Sequence, residues 1–390
     1  MNKGTVLITG VTGQLGSYLA DYYLGKGMKV TGFSRRTATH STDRVDHLMA
    51  DPAFTYLEGD ITDPTFLVKL FLDLQPEFCI NTAAQSHVHA SFSCPGSALD
   101  ITAKGAMNVV DALIAVSPDT RCVHLSTSEM FGDQYDHRLE LLLTPDNIGL
   151  GESAQVTAGK DYKYQDERTR FNPQSPYAVA KLAAHHYNRL MRETHNIHLS
   201  SLIAFNYESP RRGQNFVTQK IVRWFQRYKK WSIENKIYPP EMLSDVLSET
   251  RESGDIVWGP ANEDDYLKES GGYGYRVFPK LRLGNISSFR DWSHASDIVD
   301  AVDLMLRADK PDDYVVGSGE TRTVREFLAV VCKEILNDDD FMKYVVIDPE
   351  FFRPAEVEYL RADASKIKSK LGWEPKINFN QLVKDMCCDR

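Results

Sequence analysis

Short apolar runs alternate with amphipathic stretches along the first half of the chain. Thr5-Val-Leu-Ile-Thr9, Lys29-Val-Thr-Gly-Phe33, Phe54-Thr-Tyr-Leu-Glu-Gly-Asp60, Phe78-Cys-Ile-Asn81 and Arg121-Cys-Val-His-Leu125 are rich in β-branched and aromatic residues and bounded by turn residues. That is the pattern of strands buried in a parallel sheet. Helical patterns lie between them: Ser17 to Lys26, Pro64 to Leu74, and about Ala98 to Val116. This repeated βα rhythm predicts the α/β class, with a doubly wound parallel sheet and right-handed crossovers. Ligands in such sheets lie beyond the carboxyl ends of the strands. After the strand Leu199 to Ala204 the apolar periodicity weakens, and Arg211, Arg212, Lys220 and Arg223 appear. Helical stripes return at His294 to Arg307, with Ile298, Val302, Met305 and Leu306 on one face, and at Val324 to Ile335. The expectation is a first lobe over 1–206, to which 291–308 returns, and a smaller, discontinuous C-terminal lobe built from 207–290 and 309–390.

The first strand runs into Gly10-Val-Thr-Gly13-Gln14-Leu15-Gly16 ahead of a helix, and a second strand follows. Glycines at that turn let the backbone approach a pyrophosphate on the positive end of the helix, which makes the first lobe a Rossmann-type dinucleotide fold. The second strand ends in Ser34-Arg35-Arg36. An acidic residue there suits the ribose 2′-hydroxyl of NAD, whereas arginine suits a 2′-phosphate. The expected cofactor is therefore NADP.

A formal charge of −9 argues against nonspecific nucleic-acid binding, so an anionic small molecule needs local Arg and Lys. No apolar run is long enough for a membrane span, and the N-terminus shows no signal-peptide pattern. The six cysteines have no metal-ligand spacing, so no metal is expected, and their usage suits a reducing cytoplasm.

The candidate chemistry begins at Ser126-Thr127-Ser128-Glu129, where the strand Arg121 to Leu125 ends. Tyr177-Ala-Val-Ala-Lys181 follows, and its spacing puts a phenol and an ammonium on one helical face. Tyr-x-x-x-Lys is frequent by chance and the glycine turn alone is a weak signal. Together with Thr127 and Glu129 they form a set of proton-transfer groups with a cation to tune them.

The chain resembles the extended short-chain dehydrogenase/reductases, and within them the GDP-mannose 4,6-dehydratases. The likeness rests on Thr9 to Leu19, Arg35-Arg36, Ala84-Gln-Ser86-His-Val88, Ser126 to Glu129 and Ser175-Pro-Tyr177-Ala-Val-Ala-Lys181. It continues through Phe205-Asn-Tyr-Glu-Ser-Pro-Arg-Arg-Gly213, Asn215 to Lys220, Arg290-Asp-Trp-Ser-His294, Arg353-Pro-Ala-Glu356-Val357 and Leu371-Gly-Trp373-Glu-Pro375. The resemblance implies that Tyr177 takes the proton of the sugar 4-hydroxyl as hydride leaves C4. Lys181 would lower the tyrosine pKa, Thr127 would bond the 4-oxygen, and Glu129 would remove the C5 proton as the C6 hydroxyl departs. Ser128 stands where some other sugar-nucleotide dehydratases have an acid. For the cofactor it implies Gly10, Gly13, Gln14, Leu15, Gly16, Arg35, Arg36, Asp60, Ile61, Ala83, Ser86, Tyr177, Lys181, Asn206 and Arg212. For the GDP-sugar it implies Ser86, Thr127, Ser128, Glu129, Asn206, Asn215, Val217, Lys220, Arg290, Arg353 and Glu356.

Tyr207 stands where the family usually has histidine, and two stretches, near 133–172 and 227–282, are longer than the family pattern. Either can reshape the sugar pocket, so another NDP-hexose or a GDP-heptose remains open as substrate. A 4-epimerase or 4-keto reductase leaves Glu129 without a task, and a silent NADP-binding scaffold leaves all four polar groups without one. The segment Thr37 to Asp46 resembles a family loop that reaches a neighbouring protomer, implying a homotetramer or homodimer.

Overall fold

The computed structural model describes residues 4–38, 41–140, 160–234, 278–352 and 355–388. Seven parallel strands form the main sheet, in the spatial order β12-β8-β5-β4-β1-β2-β3. They are β1 (Thr5–Thr9), β2 (Lys29–Ser34), β3 (Phe54–Glu58), β4 (Phe78–Asn81), β5 (Arg121–Leu125), β8 (Leu199–Ala204) and β12 (Asp313–Val316). The order reverses between β1 and β4, which opens a crevice at the carboxyl ends of those strands. This is the α/β doubly wound architecture expected from the apolar runs.

Alternation along each strand sends side chains to opposite faces. Val6, Ile8, Val123, Leu125 and Leu202 pack with α1 (Gln14–Gly25) and the helix Ala295–Arg307. Leu7, Cys79, Cys122 and Leu199 face α2 (Pro64–Leu74), α5 (Gly105–Val116) and the Tyr187 and Met191 positions of α6 (Pro176–His195). Local signals set the helix ends. Asp63 caps α2 by accepting from the Thr65 and Phe66 amides, and Ser175 caps α6 by accepting from Ala178. Before α5 the chain passes through α3 (Val88–Ser93), α4 (Pro95–Ala98) and a π-helical stretch, Leu99–Lys104. No helix among the described residues is long and apolar enough to cross a membrane.

The chain divides into two compact units. The first comprises 1–213, 288–323 and 353–382, and the second 214–287, 324–352 and 383–390. This differs from the expectation that everything beyond 308 belongs to the second lobe. The reason is β12, whose Tyr314, Val315 and Val316 are buried and which pairs with β8 as the edge of the main sheet. Trp373 follows it into the first unit, donating its indole N–H to the Asp297 carbonyl at 2.8 Å. A second small sheet in the first unit joins β9 (Asn206–Glu208), β11 (Phe289–His294) and β13 (Thr321–Thr323).

In the second unit, α7 (Val217–Glu234) buries Ile221, Val222, Phe225 and Tyr228 and packs with the helix Val324–Leu336. The weakened periodicity read after Ala204 thus conceals a helix, because its basic outer face dilutes the apolar stripe. Beside it β10 (Leu281–Leu283) pairs in parallel with β14 (Val345–Ile347). Of the two long stretches, 141–159 and 235–277 lie outside the described residues. The edges of the first form an antiparallel pair, β6 (Asp136–Glu140) with β7 (Lys160–Tyr164).

Candidate active site

The turn from β1 into α1 is shaped by close backbone approach. Gly10 has φ +67°, and a Cβ there would meet the Ala83 Cα at 3.0 Å. A Cβ on Gly16 would stand 2.4 Å from the Gly10 carbonyl oxygen, so helix and strand cannot pack this closely with any other residue. Gly13 caps α1 without a side chain, leaving the first-turn amides directed outward. This glycine cradle, with its positive helix end, fits the pyrophosphate of a dinucleotide.

The other expected cofactor residues surround that turn in different ways. The Ala83 amide donates to Thr9 Oγ1 at 3.1 Å, which fixes the β4 loop against β1. Asp60 accepts from the Thr62 amide and hydroxyl, and Ile61 is a core residue whose carbonyl accepts from Asn108. Leu15 is buried in the core, and the Gln14 side chain is spent on the Tyr207 carbonyl (3.0 Å) and the Ser209 hydroxyl (2.9 Å). At those two positions only the backbone is available to a ligand. Arg35 is exposed at the end of β2, and Arg36 pairs with Glu58 at 3.7 Å. From the segment Thr37 to Asp46, Arg44 turns back to the Thr12 and Arg211 carbonyls of its own chain.

At the end of β5 the chain turns through a single 3-10 helix, Ser128–Met130. Thr127 caps it, its hydroxyl accepting from the Glu129 amide at 3.3 Å. The cap leaves Glu129 half-buried while Ser128 is buried. Tyr177 and Lys181 come from the first turns of α6, started by Ser175 and Pro176. The Tyr177 amide, an orphan donor of the helix start, is held by the buried Ser91 hydroxyl of α3 at 3.2 Å. Ser91 is thus a positioning residue absent from the sequence reading; nothing local in its sequence signals a partner so far along the chain.

The electrostatics differ from the expectation that Lys181 lowers the Tyr177 pKa. Burial pushes the Tyr177 phenol above its ordinary value, and Tyr207 adds to this. A Thr127 side-chain hydrogen bond pulls it back, Glu129 raises it and Arg212 lowers it. Lys181 gives its ammonium to the Leu125 carbonyl, and burial drops its pKa to about 7. Two groups desolvated together are each pushed toward neutrality, so the lysine charge is not assured near pH 7. The structure therefore gathers Thr127, Glu129, Tyr177 and Lys181, and adds Tyr207 to them.

Asn206 opens β9 with its side-chain oxygen buried and without a protein partner among the described residues, an acceptor-type group available to a ligand. Arg212 lies 3.1 Å from Glu208 and 5.9 Å from the centre of the Tyr207 ring. Ser86 is exposed in the loop after β4. Arg290, buried on β11, pairs with Glu356 at 2.6 Å, so those two predicted residues do meet. Arg353 lies outside the described residues.

In the second unit, Asn215 and Val217 are exposed beside the start of α7. Lys220 donates to the Arg282 carbonyl at 2.8 Å and sits 4.0 Å from the centre of the Phe351 ring. Burial, and then Arg282, lower its pKa, while Asp348 opposes them.

Two family models match the chain. The NAD dependent epimerase/dehydratase family matches residues 6–255, and GDP-mannose 4,6 dehydratase matches residues 276–386. GDP-mannose 4,6 dehydratase 2 of Arabidopsis thaliana is 38% identical, over 97% of this chain and 85% of its own. The Vibrio cholerae GDP-mannose 4,6-dehydratase is 33% identical over 99% and 93%, and the human one 32% over 98% and 90%. Among solved structures, the dTDP-glucose 4,6-dehydratase of Streptomyces venezuelae has a TM-score of 0.70 at 19% identity, covering 98% of this chain and 95% of that one. The UDP-glucose 4-epimerase of Thermus thermophilus reaches 0.69 at 20%, covering 98% and 97%. These structures share the fold. With near full-length identity to several dehydratases, the chain belongs to the GDP-mannose 4,6-dehydratase family.

Proposed function

We propose that the protein is a hydro-lyase that converts GDP-mannose to GDP-4-keto-6-deoxymannose with NADP as a returning cofactor. The observation that carries this reading is the carboxylate of Glu129 within electrostatic reach of the Tyr177 phenol at the end of β5, on a chain of this family. An alcohol oxidation needs only the phenol, whereas a dehydration also needs a base for the carbon next to the new ketone.

When bound, the nicotinamide supplies a hydride acceptor for sugar C4 and returns that hydride to C6. Tyr177 takes the proton from the 4-oxygen, which Thr127 holds by a hydrogen bond. Lys181 furnishes the positive charge that a buried phenolate requires. The ketone acidifies C5, Glu129 removes that proton, and the proton leaves with the 6-oxygen as water. C5 takes up the proton that Tyr177 holds as C6 is reduced, which returns both residues to their starting states. Arg290 and Glu356, already paired at 2.6 Å, suit a guanine nucleotide because a carboxylate accepts from its amino and imino edge. Asn215, Val217, Lys220 and Arg353 are assigned nucleotide contacts on the family resemblance. Arg35 and Arg36 favour NADP over NAD, and a homodimer or homotetramer in the cytoplasm completes the proposal.

The test is incubation with NADP and a panel of NDP-sugars, following loss of water by mass and the keto product by absorbance in base. Product from GDP-mannose, abolished in Glu129→Gln with NADP binding retained, supports the reading. Product only from another sugar replaces the substrate, and no product from any sugar overturns the enzyme assignment.

A further inference from the structure

One polar row crosses the sheet from strand to strand. Thr9 is in register with Asn81, Asn81 with His124, His124 with Ser201, and Ser201 with Asp313. The row thus spans β1, β4, β5, β8 and β12, from the last residue of β1 to the first of β12. It lies on the face covered by α5 and α6, since Leu7, Cys79, Cys122 and Leu199, two residues earlier on four of these strands, belong to that face. Lys181, His185, Asn188 and Arg192, at helical spacing on α6, lie over it. Lys181 reaches the Leu125 carbonyl, and Arg192 reaches the Leu199 carbonyl and Asp313.

Thr9, Asn81 and Asp313 are satisfied within the protein, whereas His124 and Ser201 each keep an unpartnered atom. Thr9 Oγ1 accepts from the Ala83 amide and so turns its proton to Asn81 Oδ1, at 2.7 Å. Asn81 must then present its amide N–H to His124 Nδ1, at 3.1 Å. That fixes His124 as the neutral tautomer with its proton on Nε2. His124 Nε2, His185 Nδ1, Ser201 Oγ and both side-chain polar atoms of Asn188 are buried without a protein partner among the described residues. His185 Nε2 is 3.9 Å from Asp313, too far for a hydrogen bond. These atoms include donors and acceptors, and an ammonium carries three N–H donors of which Leu125 takes one. Buried water is stable where it finds such a mixed set of partners.

We propose that the space between α6 and strands β5 and β8 holds internal water shared by Lys181, His124, His185, Asn188 and Ser201, and that this water keeps the Lys181 ammonium charged during the reaction. His124, Asn188 and Ser201 are then positioning residues acting through Lys181. The catalytic part of the inference rests on the proposed dehydration. His124 on β5 faces Lys181 and is itself faced by His185 of α6, while Tyr207, Thr127, Glu129 and Arg212 bear on Tyr177. Asp100 and Lys104, on the π-helical stretch that packs against α6, are exposed. Burial and the nearby Lys181 and His185 hold His124 well below its ordinary pKa, in keeping with the neutral tautomer.

The experiment is a 13C titration of the lysine side chains in the full chain without added ligand, with the Lys181 signal assigned through Lys181→Arg. His124→Leu and Asn188→Leu should each lower the Lys181 pKa by about one unit, as expected for lost solvation of a buried cation. His124→Gln, which restores an N–H donor, should return most of that shift. In turnover, the high-pH limb of kcat should move to lower pH by the same amount, with KM for the sugar nucleotide changed less than about twofold. Ser201→Ala, the smallest change, should give the same direction if either leucine variant fails to fold. An unmoved Lys181 pKa in the folded variants, or a dry gap in a high-resolution crystal map, overturns the proposal. A shifted pKa in a chain that turns over no sugar leaves this inference standing and removes the dehydratase reading instead.

Discussion

The two faces of the central sheet come from the same strands yet answer to different demands. Toward α1 and the helix Ala295–Arg307, Val6, Ile8, Val123, Leu125 and Leu202 form a mainly apolar surface, with Ser200 its buried polar position on β8. Toward α5 and α6, the apolar positions Leu7, Cys79, Cys122 and Leu199 give way two residues later to Thr9, Asn81, His124 and Ser201. A dry face gains from every methylene it buries, whereas a buried polar row costs stability wherever a group lacks a partner. Keeping such a row beneath Lys181 indicates that this face is shaped by the chemistry above it. The comparison can be broken by substitutions that separate turnover from stability.

The largest effect is expected on the polar side. Tyr177→Phe removes the proton acceptor while keeping the ring in its pocket, so turnover should fall roughly 10²- to 10⁴-fold. Its melting temperature should stay within a few degrees of the parent, because the ring that fills the pocket is unchanged. A loss of folding in place of turnover would mean that the phenol is a structural anchor. On the dry side, Leu202→Ala should cost about 2–5 kcal/mol in denaturant unfolding with little change in KM. The adjacent Ser201→Ala, facing the other way, should cost less than about 1 kcal/mol. Equal losses at the two positions would erase the distinction between the faces.

Lys181 provides a pH-dependent version of the same contrast. Burial sets its folded pKa near about 7, below the value near 10.4 of an unfolded lysine. A depressed pKa means that the folded state resists protonation. The charged lysine therefore penalises folding fully below pH 7, and the penalty fades as pH rises toward 10.4. Lys181→Met should be inactive yet more stable than the parent at pH 6–7, and the gain should shrink by pH 10. A gain independent of pH would point to packing and not to charge.

How much of this was legible in the sequence follows from the range of the interactions. Local patterns sufficed for β1 to β5, because each is a short apolar run between turns, and for α2, an amphipathic stretch that starts at Pro64. They placed Thr127 and Glu129 at a strand end and Tyr177 and Lys181 on one helical face, whereas bringing the two pairs together rested on the family resemblance. Long-range pairing was not legible. β9 and β11, Asn206–Glu208 and Phe289–His294, are mostly polar and find each other across a long chain separation. His124 and Ser201 read as isolated polar residues in apolar strands, and only the order β12-β8-β5-β4-β1 turns them into neighbours. Ser91, and the nearness of Tyr207 to Tyr177, became visible for the same reason, through contacts that no spacing rule encodes.

The smallest expected effect lies at the exposed rim, where burial offers no leverage. Arg35 is solvent-exposed at the end of β2, and Arg36 is held only loosely by Glu58 at 3.7 Å. A contact from such a side chain to a 2′-phosphate is screened by salt, unlike the buried charge of Lys181. Arg35→Ala should weaken NADP binding by roughly tenfold at low ionic strength, equivalent to about 1.4 kcal/mol, and by less as salt is raised. NAD affinity and the melting temperature should be unaltered, since the substitution removes neither a core contact nor a group near the nicotinamide. Isothermal titration with both cofactors at two salt concentrations measures this directly. If NADP and NAD weaken alike, Arg35 contacts a part of the dinucleotide that both share, and the preference for the phosphorylated cofactor must come from another residue.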